Sequence, residues 1–332
     1  MPFISSLPTG AMLSIFLLFY LPRVALSNPF PSFNKLQLPA IGPEALAFDQ
    51  KGGLYTGVSD GRILKYQGYS DSFVDFATTS PHTTKALCNG TNDPNLGAIC
   101  GRPLGLGFNY LTGELYIADP NFGLFMVGAN GGLATQIANG VENMPFAFLN
   151  ALDIDPQTGT VYFTDSGAIF RLNNITQIIL SGDTTSRLLK YDPKTREVTV
   201  LLRGLSGATG VAVSKDCAFV LVTELIASRV RRFWIKGPKA NSAEVLLNLS
   251  GYPDNIKRTI LGDFWVAVSI QKLQPMPTTI PTGQRINGLR MVLETVALDA
   301  EYGATSVSEV QEYAGALYIG SLSANFVGVY RK

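Results

Sequence analysis

Asn150-Ala-Leu-Asp-Ile-Asp-Pro-Gln-Thr-Gly-Thr-Val-Tyr-Phe-Thr-Asp165 reads as two short strands joined by a tight turn. Leu152 and Ile154 alternate with polar neighbours, Pro156 to Gly159 supply turn residues, and Val161-Tyr162-Phe163 return as an apolar strand. The pattern recurs five more times. Glu44-Ala-Leu-Ala-Phe-Asp49 leads to Leu54-Tyr55, and Arg102-Pro-Leu-Gly-Leu-Gly-Phe108 leads to Leu115-Tyr-Ile117. Thr209-Gly-Val-Ala-Val-Ser214 reaches Phe219-Val-Leu221, and Asp254-Asn-Ile-Lys-Arg258 reaches Phe264-Trp-Val266. Ser308-Glu-Val-Gln-Glu312 reaches Leu317-Tyr-Ile319. Copies spaced roughly 45 to 60 residues apart are the signature of propeller blades. The fold expected is all-β, a six-bladed β-propeller.

Six equal repeats in 332 residues argue for one domain, expected over residues 28–332. Apolar residues make up 46% of the chain and charged ones 15%, enough for a large core. Residues 1–27 read as a secretory signal peptide, with an apolar core over residues 11–21 and small residues Ala25 and Ser27 at a cleavage site. That core is about half the ~20 residues a membrane span needs, so no membrane association is expected after cleavage. Losing Arg23 with the leader leaves 25 basic and 25 acidic residues. A neutral chain without a Lys/Arg cluster excludes nucleic acid and anionic lipid as expected partners.

Three sequons, at Asn89, Asn174 and Asn248, are candidate glycosylation sites in that compartment. Cys88 and Cys100 bracket a polar loop and are the natural disulfide pair, whereas Cys217 lies in a strand-like run and is expected as a buried free thiol. Lys35 to Leu38 is a candidate strand added to the last blade to close the ring. Between Asp165 and Arg187 lies an insertion expected to cap one face, partly as helix. Residues 275–281 are too rich in proline for a central strand and are expected as an extended excursion.

Aligning the copies on Leu46, Leu104, Leu152, Val211, Ile256 and Val310 puts Glu44, Arg102, Asn150, Thr209, Asp254 and Ser308 at one level. First strands line a propeller's channel, so these six residues are expected to converge at one mouth. Glu44, Asn150, Thr209, Asp254 and the adjacent Asn255 offer only hard oxygen ligands, which suits Ca²⁺. Zinc is disfavoured, because the single histidine, His82, falls outside the ring. No organic cofactor is expected. In the competing reading Arg102 neutralises Glu44 or Asp254 and the channel is a salt-bridged plug. Phe146, Phe148, Tyr162 and Trp265 are expected in the blade cores.

Several segments together resemble the strictosidine synthases. They are Cys100-Gly-Arg-Pro-Leu-Gly-Leu106, Gly159-Thr-Val-Tyr-Phe-Thr-Asp165, Arg187-Leu-Leu-Lys-Tyr-Asp192, Asn255-Ile-Lys-Arg258 and Leu317-Tyr-Ile-Gly320. The resemblance implies a six-bladed propeller, shared with paraoxonases and calcium-dependent lactonases and phosphotriesterases. It also implies a disulfide between Cys88 and Cys100, and a plant secretory location: vacuole, extracellular space or endoplasmic reticulum lumen. Strictosidine synthase condenses tryptamine with secologanin using a glutamate seven residues before the glycine matching Gly315; that position is Ser308. Strand alternation places Glu309 on the opposite face. A hydroxyl does not shuttle protons as a carboxyl does, so strictosidine formation in alkaloid biosynthesis is not the first expectation.

Glu44, Asn150 and the Asp254-Asn255 pair resemble the calcium-dependent hydrolases instead, with Arg102 where paraoxonases carry a catalytic histidine and Thr209 where hydrolases often carry asparagine. A second calcium is not expected, since its first-blade ligand would fall at Ala45. The reading favoured is therefore a metal-assisted hydrolase of a small ester or lactone, monomeric, with Glu44, Arg102 and the Ser308 position at its catalytic centre. An amine–aldehyde condensing enzyme using another acid, and a non-catalytic ligand-binding propeller, are the alternatives.

Overall fold

Short apolar runs that alternate in and out of a sheet bury only one face each, so every sheet needs a neighbour on both sides and the row must close on itself. The computed structural model describes residues 30–169, 171–273 and 276–332; the expected signal peptide lies outside them. Six sheets form the six blades, antiparallel throughout except for a short parallel pairing of Gly132–Leu133 on the outer edge of blade one. In the third, Leu149–Ile154 is the inner strand, followed outward by Val161–Asp165, Ser186–Asp192 and Glu197–Leu205. The last blade is Glu309–Tyr313, Ala316–Gly320, Phe326–Arg331 and, from the amino end, Ser32–Gln37. That strand pairs antiparallel from Ser32 opposite Arg331 to Gln37 opposite Phe326, which closes the ring as expected.

The core lies between blades. Six large apolar clusters each join two neighbouring sheets; Leu152 and Phe163 of blade three, for example, pack on Tyr116 and Leu124 of blade two. Trp265 of blade five packs on Val310 and Leu317 of blade six, and Leu46 and Phe48 of blade one pack on Val327 of blade six. Phe146, Phe148, Tyr162 and Trp265 are buried, as expected. Glycine is required where inner strands touch: a Cβ on Gly210 would sit 2.7 Å from the Ile256 nitrogen of the next blade.

Two local expectations need comment. The insertion is helical over Ile175–Ser181, and its buried Ile178 packs on Leu104 and Phe148 above blades two and three. By contrast, the proline-rich segment is not all excursion: Thr278–Ile286 is the third strand of blade five and includes Pro281, opposite Ser269. Pairing with the outer strand begins only at Thr282, and the Pro281 carbonyl accepts the Leu298 N–H. The missing N–H of Pro281 therefore costs one bond at the very end of the ladder.

Buried ion pairs recur at the top of the blades. Arg62 Nη2 lies 2.6 Å from Asp60, Arg187 Nη2 2.5 Å from Asp165, and Arg229 Nε 2.5 Å from Glu224. The acids also accept backbone N–H groups, Phe148 on Asp165 and Ser206 on Glu224, so each fixes a connecting loop. Blade two has no such arginine; Asp119 instead accepts the Thr79 hydroxyl and the backbone N–H groups of Arg102 and Asn121. Cys88 and Cys100 form the expected disulfide, and Cys217 is buried and free.

Arg187→Ala strips a buried carboxylate of its counter-charge and is expected to destabilise the protein by about 3–5 kcal/mol. Arg203→Ala, which removes an exposed partner of Glu142, is expected to cost at most about 1 kcal/mol. Chemical denaturation of the two variants beside wild type checks this; equal midpoints contradict the structural role assigned to the buried pair.

Candidate functional site

The inner strands bend where the ring residues sit. Strand pairing slips between Leu149 and Leu152, between Ala208 and Val211, and between Pro253 and Ile256. Each irregularity brackets one ring position: Asn150, Thr209, and Asp254 with Asn255. A bulge turns side chains that would otherwise alternate across the sheet, which is how two adjacent residues, Asp254 and Asn255, both serve the channel.

Blades one and five meet at this level. Asn255 Nδ2 donates to Glu44 Oε1 at 3.0 Å, across 211 residues of sequence. Glu44, Asn150 and Asn255 are buried, and three of their oxygens, Glu44 Oε2, Asn150 Oδ1 and Asn255 Oδ1, have no hydrogen-bond donor among the described residues. Leaving such oxygens bare costs on the order of 1–3 kcal/mol each. Asp254 is half-buried as a residue.

Thr209 and Ser308 stand at the ring positions but serve as stitches between blades. The Thr209 hydroxyl lies 3.1 Å from the Thr223 hydroxyl and 3.3 Å from the Pro253 carbonyl. Ser308 Oγ donates to the Glu44 carbonyl at 2.8 Å. Arg102 does not form the salt-bridged plug: no contact ion pair joins it to Glu44 or Asp254, and its Nη1 donates to the Gly42 carbonyl at 3.0 Å. Its burial pushes its pKa down to about 10, opposed by the negative charges of Glu44, Asp119 and Asp60, so it stays a cation at neutral pH.

Glu309 is the residue that strand alternation misplaces. Rather than facing away from the site, it is fully buried, accepts the Leu46 N–H at 2.9 Å and lies 3.3 Å from Lys257 Nζ. It thus belongs to the same charged assembly. Burial pushes Glu309 up to about 7, against the pull of Lys257. Burial and the neighbouring Glu309 push Asp254 up to about 7. Glu44 is held well above the usual carboxylate range by burial first and then by Asp254 and Glu309. Lys257 also lines a second cavity, of about 140 Å³, further along the inner strands.

Above the ring lies a cavity of about 350 Å³, and Arg102 is the one ring residue that lines it. Its walls come from the disulfide-stapled loop (Asn92 to Ala98) and from Arg171 to Asn173 ahead of the capping helix. His82 is exposed on the stapled loop, away from this lining. Asn89 and Asn248 are exposed, and Asn174 is partly exposed beside the cap. Among the described residues no three His, Cys, Asp or Glu side chains gather as a metal cluster. A metal here would need a mixed set of carboxylate and amide oxygens, and the three unpartnered oxygens are such a set. No helix among the described residues is long and apolar enough to cross a membrane.

The family profile described as strictosidine synthase matches residues 150–238, and that described as strictosidine synthase-like, N-terminal, matches residues 32–66. Strictosidine synthase-like protein 12 of Arabidopsis thaliana is 45% identical over 327 residues, covering 97% of this chain and 96% of that protein. Strictosidine synthase of Catharanthus roseus is 38% identical over 299 residues, covering 89% and 84%. Among solved structures, a gluconolactonase from Xanthomonas campestris superposes with a TM-score of 0.65 at 13% identity, covering 90% of this chain and 89% of the other. The calcium-binding protein regucalcin from Agrobacterium tumefaciens gives 0.64 at 14% identity, covering 91% and 93%. At such low identity these two speak for the fold alone. With relatives this similar over almost its whole length, the chain belongs to the strictosidine synthase-like family of six-bladed propellers.

Proposed function

We propose that this protein is a metal-assisted hydrolase of a small ester or lactone, with Ca²⁺ as its cation. The observation that carries the reading is the set of three buried oxygens without donors, on Glu44, Asn150 and Asn255, with the half-buried Asp254 next to Asn255 in the strand. Those four residues would hold the ion; Thr209, whose hydroxyl is already engaged, fits less well. When bound, the cation supplies polarisation of a substrate carbonyl oxygen and lowers the pKa of water. Asn255 holds Glu44 in place through Oε1 and leaves Oε2 facing the site. Arg102, cationic and free of any contacting carboxylate, orients an anionic group at the mouth. The names of two fold neighbours, a gluconolactonase and a calcium-binding protein, agree with this reading without carrying it.

The amine–aldehyde condensation has one observation in its favour: Glu309 is a buried carboxyl one residue from the position of the family glutamate. Its Oε1, however, accepts the Leu46 N–H, and its Oε2, though without a hydrogen bond, is fully buried and ion-paired at 3.3 Å with Lys257, whereas an acid–base catalyst must reach its substrate. Ser308 is spent on the Glu44 carbonyl.

Calorimetric titration is expected to show one Ca²⁺ site, and Glu44→Gln to weaken it by about 100-fold or more together with chelator-sensitive turnover of a lactone and ester panel. Absence of calcium binding, or turnover indifferent to chelator, contradicts the hydrolase. Product from tryptamine and secologanin, unaffected by chelator, supports the condensing enzyme instead.

A pH dependence follows from Asp254 and Glu309. Both are raised to about 7 in the folded state, so the stability they contribute is fully present below their unfolded pKa values near 4 and is lost as pH rises through 7. In chelator, the melting temperature is expected to fall between pH 5 and pH 8, and Asp254→Asn to flatten the slope. A melting temperature that is constant or rises over that interval contradicts the crowding of these carboxylates.

A further inference from the structure

We infer that the cavity above the ring recognises a hydroxylated organic anion: a polyhydroxylated skeleton bearing a carboxylate or phosphate. This deepens the reading of the same site and rests on it for the chemistry at the ring, but not for the binding itself. Two cations face the cavity. Arg102, 7% exposed, gives one donor to the Gly42 carbonyl and meets no carboxylate in a contact pair. Arg171, on the exposed segment ahead of the capping helix, has no side-chain partner among the described residues. The single acid of the lining, Asp93, has its Oδ1 occupied by the backbone and side-chain nitrogens of Asn95 and touches neither arginine.

A buried guanidinium kept from water and from carboxylates gains most from an anion that accepts its remaining N–H groups. The rest of the lining is two-sided: Ile41, Leu172 and Leu322 offer an apolar wall for the face of a carbon skeleton, and three asparagines offer partners for its hydroxyls. The side-chain amides of Asn92, Asn121 and Asn173 line the cavity without hydrogen-bond partners among the described residues. Each offers both a donor and an acceptor, which matches hydroxyl groups. The volume, about 350 Å³, is in the range of small-ligand sites.

The test measures binding of four probes to the full chain by calorimetry: D-gluconate, D-glucose 6-phosphate, D-glucitol and hexanoate. At least one of the two hydroxylated anions is expected to bind about tenfold or more tighter than both glucitol, which lacks charge, and hexanoate, which lacks hydroxyls. The preferred anion tells carboxylate from phosphate. Arg171→Ala is expected to weaken that anion about fivefold or more with no change in melting temperature, and Asn121→Leu to narrow the gap to hexanoate. Equal binding of glucitol or hexanoate, no binding of either hydroxylated anion, or an Arg171→Ala protein of unchanged affinity overturns the inference. Anion binding without any lactone turnover defeats the hydrolase and leaves this inference standing. Turnover of uncharged esters without anion preference does the reverse.

Discussion

Water that a carboxylate gives up on burial has to be replaced by a proton, an ion pair or a cation. The propeller solves that problem in two ways at once. Asp60, Asp165 and Glu224 are answered by arginines of their own blades and by backbone N–H groups, so they end as fixtures of the loops. Glu309 is answered by Lys257 and the Leu46 N–H. Glu44 receives only an amide from Asn255, and no arginine or lysine makes contact with Glu44 or Asp254. That contrast, rather than any motif, sets Glu44 and Asp254 apart from the other acids. Everything else, from the apolar seams between blades to the strand that closes the ring, keeps these groups facing one another.

The blades were readable because alternation, turn residues and spacing repeat six times, and each copy reinforces the others. Ring membership was inferred from the shared register of equivalent strands, and hydrogen bonds join Glu44 to Asn255 and to Ser308. The bulges at Asn150, Thr209 and Asp254 were not readable, because a slip in pairing depends on the neighbouring strand and leaves no mark on local composition. Alternation also did not show that Glu309 joins the other acids, because its partners, the Leu46 N–H and Lys257, come from other blades. Pro281 misled in the other direction: its cost depends on whether the outer strand has begun. An acid ends the second strand of three blades, Asp119, Asp165 and Glu224, and Asp60 follows that of blade one by three residues, a periodic charge visible in the sequence. Its signal was available and simply overlapped with the turn that follows.

Ser308 serves the packing of the ring. The hydroxyl occupies the position of the family's acid and has become part of the seam between blades six and one. Hydroxyls of Thr164 and Thr223 make comparable bonds to the Thr209 and Asp254 carbonyls. A side chain engaged in holding strands together differs in its surroundings from the acidic residues of blades one and five, Glu44 and Asp254, whose carboxylates have no such bond to a neighbouring strand among the described residues.

The most direct test is an anomalous difference map from crystals of the protein grown with a lanthanide ion in place of calcium, since such ions take the same hard oxygen ligands. The account requires one strong peak on the channel axis, within bonding distance of Glu44 Oε2 and the side-chain oxygens of Asn150 and Asp254. A map with no axial peak, or with the ion held only at surface carboxylates, would show that these oxygens converge without a cation and would contradict the central claim.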